Sequence, residues 1–188
     1  MLKGPPIAAP RFFPAVPTRR EFIRGGLLAA IVPALTFLGP SRKAEAALKV
    51  GDLLPQAVLL DRQGLKVTLP GDLKGGVGLL HFWASWCPYC LKEIMAVEAL
   101  YQSYKSKGFR PYSINVGENL SAVEAYISSI RVSYSIPLDT DSSTAKKYGI
   151  TGIPTTFITD RGGLIRYRIL GEINKEGLHK LISALLAQ

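Results

Sequence analysis

Cysteine and histidine are scarce in this chain. Its 188 residues hold two cysteines, Cys87 and Cys90, and two histidines, His81 and His179. So small a stock disfavours zinc, which usually takes four such ligands. No further cysteine is present to serve as a peroxidatic thiol, so a peroxidase is also disfavoured. The chain carries no nicotinamide or flavin fingerprint. The pair Gly75-Gly76 precedes a strand pattern and does not open a helix, so it reads as a turn and not as a phosphate loop. No internal repeat is present, and no low-complexity segment follows the proline-rich start. Neither a cofactor nor a metal is expected.

Acidic residues are also few, 14 against 23 basic, for a net charge of +9. The excess is uneven. Residues 1–46 hold seven basic side chains (Lys3, Arg11, Arg19, Arg20, Arg24, Arg42, Lys43) against Glu21 and Glu45, leaving only +4 for the remainder. A nucleic-acid partner would rest mostly on that first segment, so none is expected.

The first segment reads as an address. Thr18-Arg19-Arg20-Glu21-Phe22 precedes an apolar stretch over 25–39, followed by Arg42, Lys43 and Ala44-Glu45-Ala46. A charged region, an apolar region and a small-x-small site in that order form an export signal. The paired arginines resemble the twin-arginine type. Pro33 interrupts the apolar stretch, which is shorter than the ~20 residues of a spanning helix. The expected organisation is a signal peptide over 1–46 and one domain over 47–188, placed outside the cytoplasm. An anchored form that keeps the signal is the alternative.

Trp86-Cys87-Pro88-Tyr89-Cys90 is the most informative stretch. It follows the apolar run Val77-Gly78-Leu79-Leu80-His81-Phe82-Trp83 and leads into a helical pattern with Ile94, Val97, Leu100, Tyr101 and Tyr104. A strand that delivers Cys-x-x-Cys to the start of a helix is the geometry of a thiol–disulfide centre. Cys87 is expected at or next to the helix cap, where unpaired N–H groups and the helix dipole favour a thiolate. So small a loop removes little entropy from the unfolded chain, so the pair reads as catalytic rather than as a staple.

Around this centre the pattern is α/β. Val58-Leu59-Leu60 and Lys66-Val67-Thr68-Leu69 flank a turn at 61–64 and predict a hairpin. A strand is expected over 110–116, a helix over 120–130 capped by Asn119, and a short extended piece at 136–138. A short helix over 142–148, strands over 155–159 and 164–170, and a last helix carrying Leu178, Leu181, Ile182 and Leu185 complete the domain.

This order, with the cysteines after the first central strand and Gly152-Ile153-Pro154-Thr155-Thr156 before a late hairpin, resembles the thioredoxin fold. The block from His81 through Phe82-Trp83-Ala84-Ser85-Trp86-Cys87-Pro88-Tyr89-Cys90 to Glu93 is similar to the exported TlpA/ResA-like branch. So are Asn115-Val116-Gly117-Glu118, Leu138-Asp139-Thr140-Asp141 and Tyr148-Gly149-Ile150. The resemblance implies a central mixed sheet flanked by helices, with the hairpin as an N-terminal extension. It also implies a cis peptide before Pro154, packed against the disulfide, and electron exchange with other exported proteins, often in cytochrome c maturation. Two departures stand out. His81 occupies the position of thioredoxin's buried acid. The Pro-Tyr pair between the cysteines is the one that glutaredoxins carry.

Within that frame Cys87 is the candidate attacking thiolate, since such cysteines have pKa values of ~3.5–7.5, and Cys90 is the resolving thiol. Trp83 and Trp86 are expected to pack near and shield the sulfurs, with Ile153 beside them. Glu93, three residues past Cys90, is either a buried acceptor of the Cys90 proton or a solvated helix charge. His81 shares a strand face with Trp83 and is either a proton relay or a buried histidine satisfied by a backbone carbonyl. His179 is expected at the surface. The leading function is an exported, monomeric disulfide reductase supplied by a membrane thiol–disulfide donor. An oxidant of folding proteins and a Cu(I)-handling protein, whose metal would suit two thiolates, are the alternatives.

Overall fold

The computed structural model describes residues 47–188, so the expected signal over 1–46, with Arg19-Arg20 and Ala44-Glu45-Ala46, lies outside the described residues. The elements run β1 (Ala57–Asp61), β2 (Lys66–Leu69), β3 (Val77–Trp83), α1 (Cys90–Tyr104), β4 (Phe109–Val116), α2 (Leu120–Ile127), β5 (Pro137–Asp139), α3 (Ser143–Lys147), β6 (Thr155–Thr159), β7 (Ile165–Leu170) and α4 (Lys175–Leu186). They form one mixed seven-stranded sheet in the order β2-β1-β5-β4-β3-β6-β7. This is the thioredoxin-like α/β fold expected from the sequence.

Local chemistry places most of these elements. The β1–β2 turn closes because the Asp61 carboxylate accepts from the amides of Gln63 (3.0 Å) and Leu65 (2.9 Å). Gly64 takes the left-handed φ of 78° that this turn needs. The hairpin is more than an appendage, since β1 also pairs antiparallel with β5 and so extends the sheet. Asn119 caps α2 by accepting from Ala122 N, and Asn174 caps α4 from Gly177 N. Asp139 holds the start of α3 through the amides of Thr144 and Ala145. Helix α2 stops at Ile127, short of the expected 130. There the Ser128 hydroxyl donates to the Ala125 carbonyl, and Ile130 N donates back to Ile127 O.

Every residue of β3 is buried, because layers cover both faces of the sheet. Val77, Leu79 and Trp83 face α1, α2 and α4 in one core, with Ile94, Val97, Val123 and Ile182. Leu80 and Phe82 face the other way, into a core with Tyr148, Phe157 and the hairpin residues Leu59 and Val67. Gly78 is required in β3, since a Cβ there would lie 2.5 Å from Thr159 Oγ1. Among the described residues, no helix is long and apolar enough to cross a membrane.

Candidate active site

Strand β3 carries the chain out of the sheet into a loop over 84–89, and α1 returns it. Helix α1 begins at Cys90, with Tyr89 as its cap. This corrects the sequence expectation, because the second cysteine and not the first opens the helix. The physical reason is the double turn of the loop. Cys87 N bonds Ala84 O and Cys90 N bonds Cys87 O, so helical bonding starts only after Pro88 and Tyr89. Cys87 therefore stands just ahead of the positive end of α1.

The two sulfurs form a disulfide with Cα atoms 5.5 Å apart. Cys87 is 2% exposed and Cys90 is fully buried. Pro88 and Tyr89 between them are exposed. Trp83 is buried, stacks on Tyr126 at 5.5 Å between centroids and donates Nε1–H to Ser113 O. Trp86 is 71% exposed. The packing expected of both tryptophans therefore holds for Trp83 alone, because the turn at 85–86 carries the second indole off the sheet. The Ile153–Pro154 peptide is cis, with Pro154 buried and Ile153 packed against the core that contains both cysteines. A second cis peptide, Leu69–Pro70, was not expected.

Two residues that the sequence analysis left without a role hold this loop. The Glu118 carboxylate, just past β4, accepts from Ser85 N (2.8 Å), the Ser85 hydroxyl and Asn115 Nδ2 (2.7 Å). Burial would raise its pKa, but the hydrogen bonds from Asn115 and Ser85 outweigh that and hold it below the usual range. The Tyr126 hydroxyl, on α2, donates to the Cys87 carbonyl at 3.2 Å. The block Asn115-Val116-Gly117-Glu118 was legible as a motif. Its contact with Ser85, 33 residues away, was not.

Between β3 and α1, the helix that Cys90 opens, lies a buried polar row. Ser113, His81 and Thr156 are in-register neighbours on β4, β3 and β6. Glu93 reaches down from α1 onto this row and is 1% exposed, so it is not a solvated helix charge. Its Oε1 accepts from the Thr156 hydroxyl at 2.6 Å. Burial pushes its pKa up to about 7, against the lowering effect of the Thr156 bond. His81 is fully buried, and the cost of charging it there pushes its pKa down to about 3. Its Nδ1 partner is the Ser113 hydroxyl at 3.3 Å, not the backbone carbonyl that was expected. Its Nε2 lies 3.9 Å from Glu93 Oε2, and neither atom has a hydrogen-bond partner. The sequence reading held Glu93 and His81 apart as alternatives, whereas the fold brings them face to face. A signal for Glu93 existed, because Cys90, Glu93, Ile94, Val97 and Leu100 form a single inward stripe of α1. His179 is exposed and its Nε2 meets the Tyr104 hydroxyl at 2.7 Å, away from this row. Among the described residues, no three His, Cys, Asp or Glu side chains gather as a metal ion would require.

Comparison with known proteins agrees with this geometry. The AhpC/TSA family model matches residues 50–168. The thiol-disulfide oxidoreductase ResA of Bacillus subtilis (strain 168) is 31% identical over 169 residues, covering 89% of this chain and 94% of that protein. A Chlorobium tepidum structure described as a thiol:disulfide interchange protein DsbE superposes with a TM-score of 0.70 at 30% identity, over 74% of this chain and 99% of that one. StoA from Bacillus subtilis superposes with a TM-score of 0.59 at 28% identity, over 68% of this chain and 96% of that one. The chain thus belongs to the AhpC/TSA family and is a thioredoxin-fold thiol–disulfide oxidoreductase of the ResA-like kind.

Proposed function

We propose that this oxidoreductase works outside the cytoplasm as a reductase, opening disulfides in other exported proteins, apocytochrome c being the leading substrate. Cys87 is the attacking thiolate. It stands off the positive end of α1, and a thiolate there breaks a substrate disulfide to form a mixed disulfide and release one substrate thiolate. Cys90 then attacks the Cys87 sulfur and releases the second. The substrate gains two electrons, and the Cys87–Cys90 pair becomes the disulfide seen in the structure. A membrane thiol–disulfide donor returns it to the dithiol. Cis-Pro154 and Ile153 border the docking surface, with exposed Trp86 as a shield for the mixed disulfide. The protein acts as a monomer.

The observation that carries this reading is the burial of the Glu93 carboxyl on the same inward stripe of α1 as the fully buried Cys90, burial that pushes the carboxyl pKa up to about 7. A buried thiol is hard to ionise, and Cys90 must lose its proton before it can attack. A carboxylate that titrates near neutral pH is matched to take it. The deciding measurement is the reduction potential of the Cys87–Cys90 pair. A value near the glutathione pool or below it supports a reductase. One near about −120 mV, the potential of a strong folding oxidant, would reverse the direction. Retention of Cu(I) by the reduced protein through a chelator wash would favour the metal-handling alternative.

A further inference from the structure

The loop that carries the disulfide has few ties to the rest of the domain. Glu118 holds Ser85 at its start. Beyond Ser85, the backbone bonds of the loop stay within the loop and α1: Cys87 N to Ala84 O, Cys90 N to Cys87 O and Glu93 N to Tyr89 O. Trp86, Pro88 and Tyr89 are exposed. Among the described residues, a single hydrogen bond joins residues 86–89 to any other element. The Tyr126 hydroxyl of α2 donates to the Cys87 carbonyl at 3.2 Å. Its direction is fixed, because a carbonyl can only accept.

The donor is itself well anchored. The Tyr126 ring stacks on buried Trp83, whose indole donates to Ser113 O on β4. Burial raises the Tyr126 pKa above the usual phenol value, the Leu91 amide opposes this and Glu118 adds to it. The hydroxyl therefore keeps its proton at neutral pH. The other restraint on Cys87 is its bond to Cys90. Reduction removes it: two electrons and two protons open the S–S bond and leave two thiols. The Tyr126 hydroxyl is then the hydrogen-bonded tie between Cys87 and α2. Two restraints that fit one geometry reinforce each other, because the first removes freedom that the second would otherwise have to remove. A tie that keeps Cys87 in place in the dithiol thus raises the effective concentration of its sulfur at Cys90.

We propose that Tyr126 is a positioning residue of the thiol–disulfide reaction, whose hydroxyl holds Cys87 in reach of Cys90 while the disulfide is open and so favours its closure. The role bears on the resolving step and rests on the reading of Cys87 as the attacking thiol. In that step the Cys90 thiolate forms a bond to the Cys87 sulfur, the bond from Cys87 to the substrate sulfur breaks, and the electron pair leaves with the substrate thiolate. Tyr126 exchanges neither a proton nor an electron. Favouring closure lowers the reduction potential of the pair, which is the direction a reductase needs.

The test is the reduction potential of the full-length Tyr126→Phe chain, poised in thiol–disulfide buffers beside the parent. Phenylalanine keeps a ring on Trp83 and removes the hydroxyl. The reduced-to-oxidised ratio should rise about threefold, part of the worth of one neutral hydrogen bond, which makes the potential less negative by ~14 mV. Resolution of the mixed disulfide should slow by a similar factor, with first attack by Cys87 close to parent. A second measurement closes a cycle. The unfolded pair does not feel residue 126, so the variant should lose more stability in the disulfide form than in the dithiol form, by that same factor. A merely structural hydroxyl would weaken both forms equally and leave the potential at the parent value. That result, or a more negative potential, overturns the proposal. If Tyr126→Phe does not fold, Tyr126→3-fluorotyrosine decides. It is a stronger donor of nearly the same shape and should make the potential more negative, and an unchanged or less negative value overturns the proposal. The underlying readings fail separately. A parent potential in the range of a folding oxidant reverses the direction of the reaction, and preferential labelling of Cys90 exchanges the two thiols. The difference between parent and Tyr126→Phe survives both.

Discussion

His81 Nε2 and Glu93 Oε2 face each other across 3.9 Å in the buried interior between β3 and α1, each without a hydrogen-bond partner. One comes from the middle of a central strand and the other from the first turn of α1. Burial drives their pKa values apart, to about 3 and about 7, so near neutral pH the carboxyl and not the imidazole exchanges protons.

That asymmetry orders two variants. Glu93→Gln keeps the acceptor for Thr156 but removes the base. It should slow disulfide reduction near neutral pH by roughly 10²-fold, within the range for a lost general base, while initial attack by Cys87 stays close to parent. His81→Asn should have the smaller effect. Single-turnover rates from pH 6 to 8 check this, and parent-like turnover of Glu93→Gln would assign the proton to another group.

The same shifts set a pH dependence of stability. The Glu93 pKa is higher in the folded than in the unfolded chain, so the folded state binds more protons between about 4.5 and about 7, and stability falls as pH rises through that window. The His81 pKa is lower when folded, so stability falls as pH drops from 6.5 towards about 3. Denaturant titrations of oxidised Glu93→Gln should show it gaining on the parent from pH 4.5 to 7, by about 3 kcal/mol at 1.36 kcal/mol per unit. A constant difference across that range would show that Glu93 titrates normally.

Cys87 should alkylate much faster than Cys90 at pH 7 in the reduced protein, because it lies ahead of α1 and is the less buried sulfur. Peptide mass mapping identifies the labelled residue. Cys90→Ser should accumulate mixed disulfides and Cys87→Ser few. Preferential labelling of Cys90 would exchange the two roles.

Glu118 should matter to the loop more than its surface position suggests. Glu118→Ala removes the acceptor for Ser85 and Asn115 and should cost roughly 1–2 kcal/mol of unfolding free energy at pH 7, at the low end for charged hydrogen bonds since the site is partly exposed. Its carboxyl pKa is depressed when folded, so this contribution is complete above the ordinary carboxyl range and disappears as pH falls through the folded value. Melting of parent and variant at two pH values tests this, and equal destabilisation in strong acid would contradict it.

Export by the twin-arginine route, a proposal that concerns residues outside the described part, is tested by replacing Arg19 and Arg20 with lysine. The precursor should then stay in the cytoplasm. Normal export of that variant would point to the general secretory route.

Much of the scaffold was readable in the chain. The β3 and β6 spans match the expected ones residue for residue, because a buried strand shows as a continuous apolar or β-branched run bounded by turn residues. The Asn119 cap was legible for the same local reason. The start of α1 was not, because turn bonding across Cys87-Pro88-Tyr89 competes with helix bonding over the same few residues. The place of Trp86 also escaped the sequence, since an aromatic beside a motif carries no sign of whether any element faces it.

The available chemistry is written in the order of residues: two thiols three positions apart, a strand to deliver them and a helix to receive them. These are local properties, set by side-chain type and spacing along a few consecutive residues. The meeting of Glu93 and His81 depends instead on packing between distant elements. Thr156 lies 63 residues from the carboxylate it contacts, and Ser113 lies 32 from the imidazole. A pKa is set by removal from water and by the partners that replace it. Both arise only when β3, β4, β6 and α1 pack together.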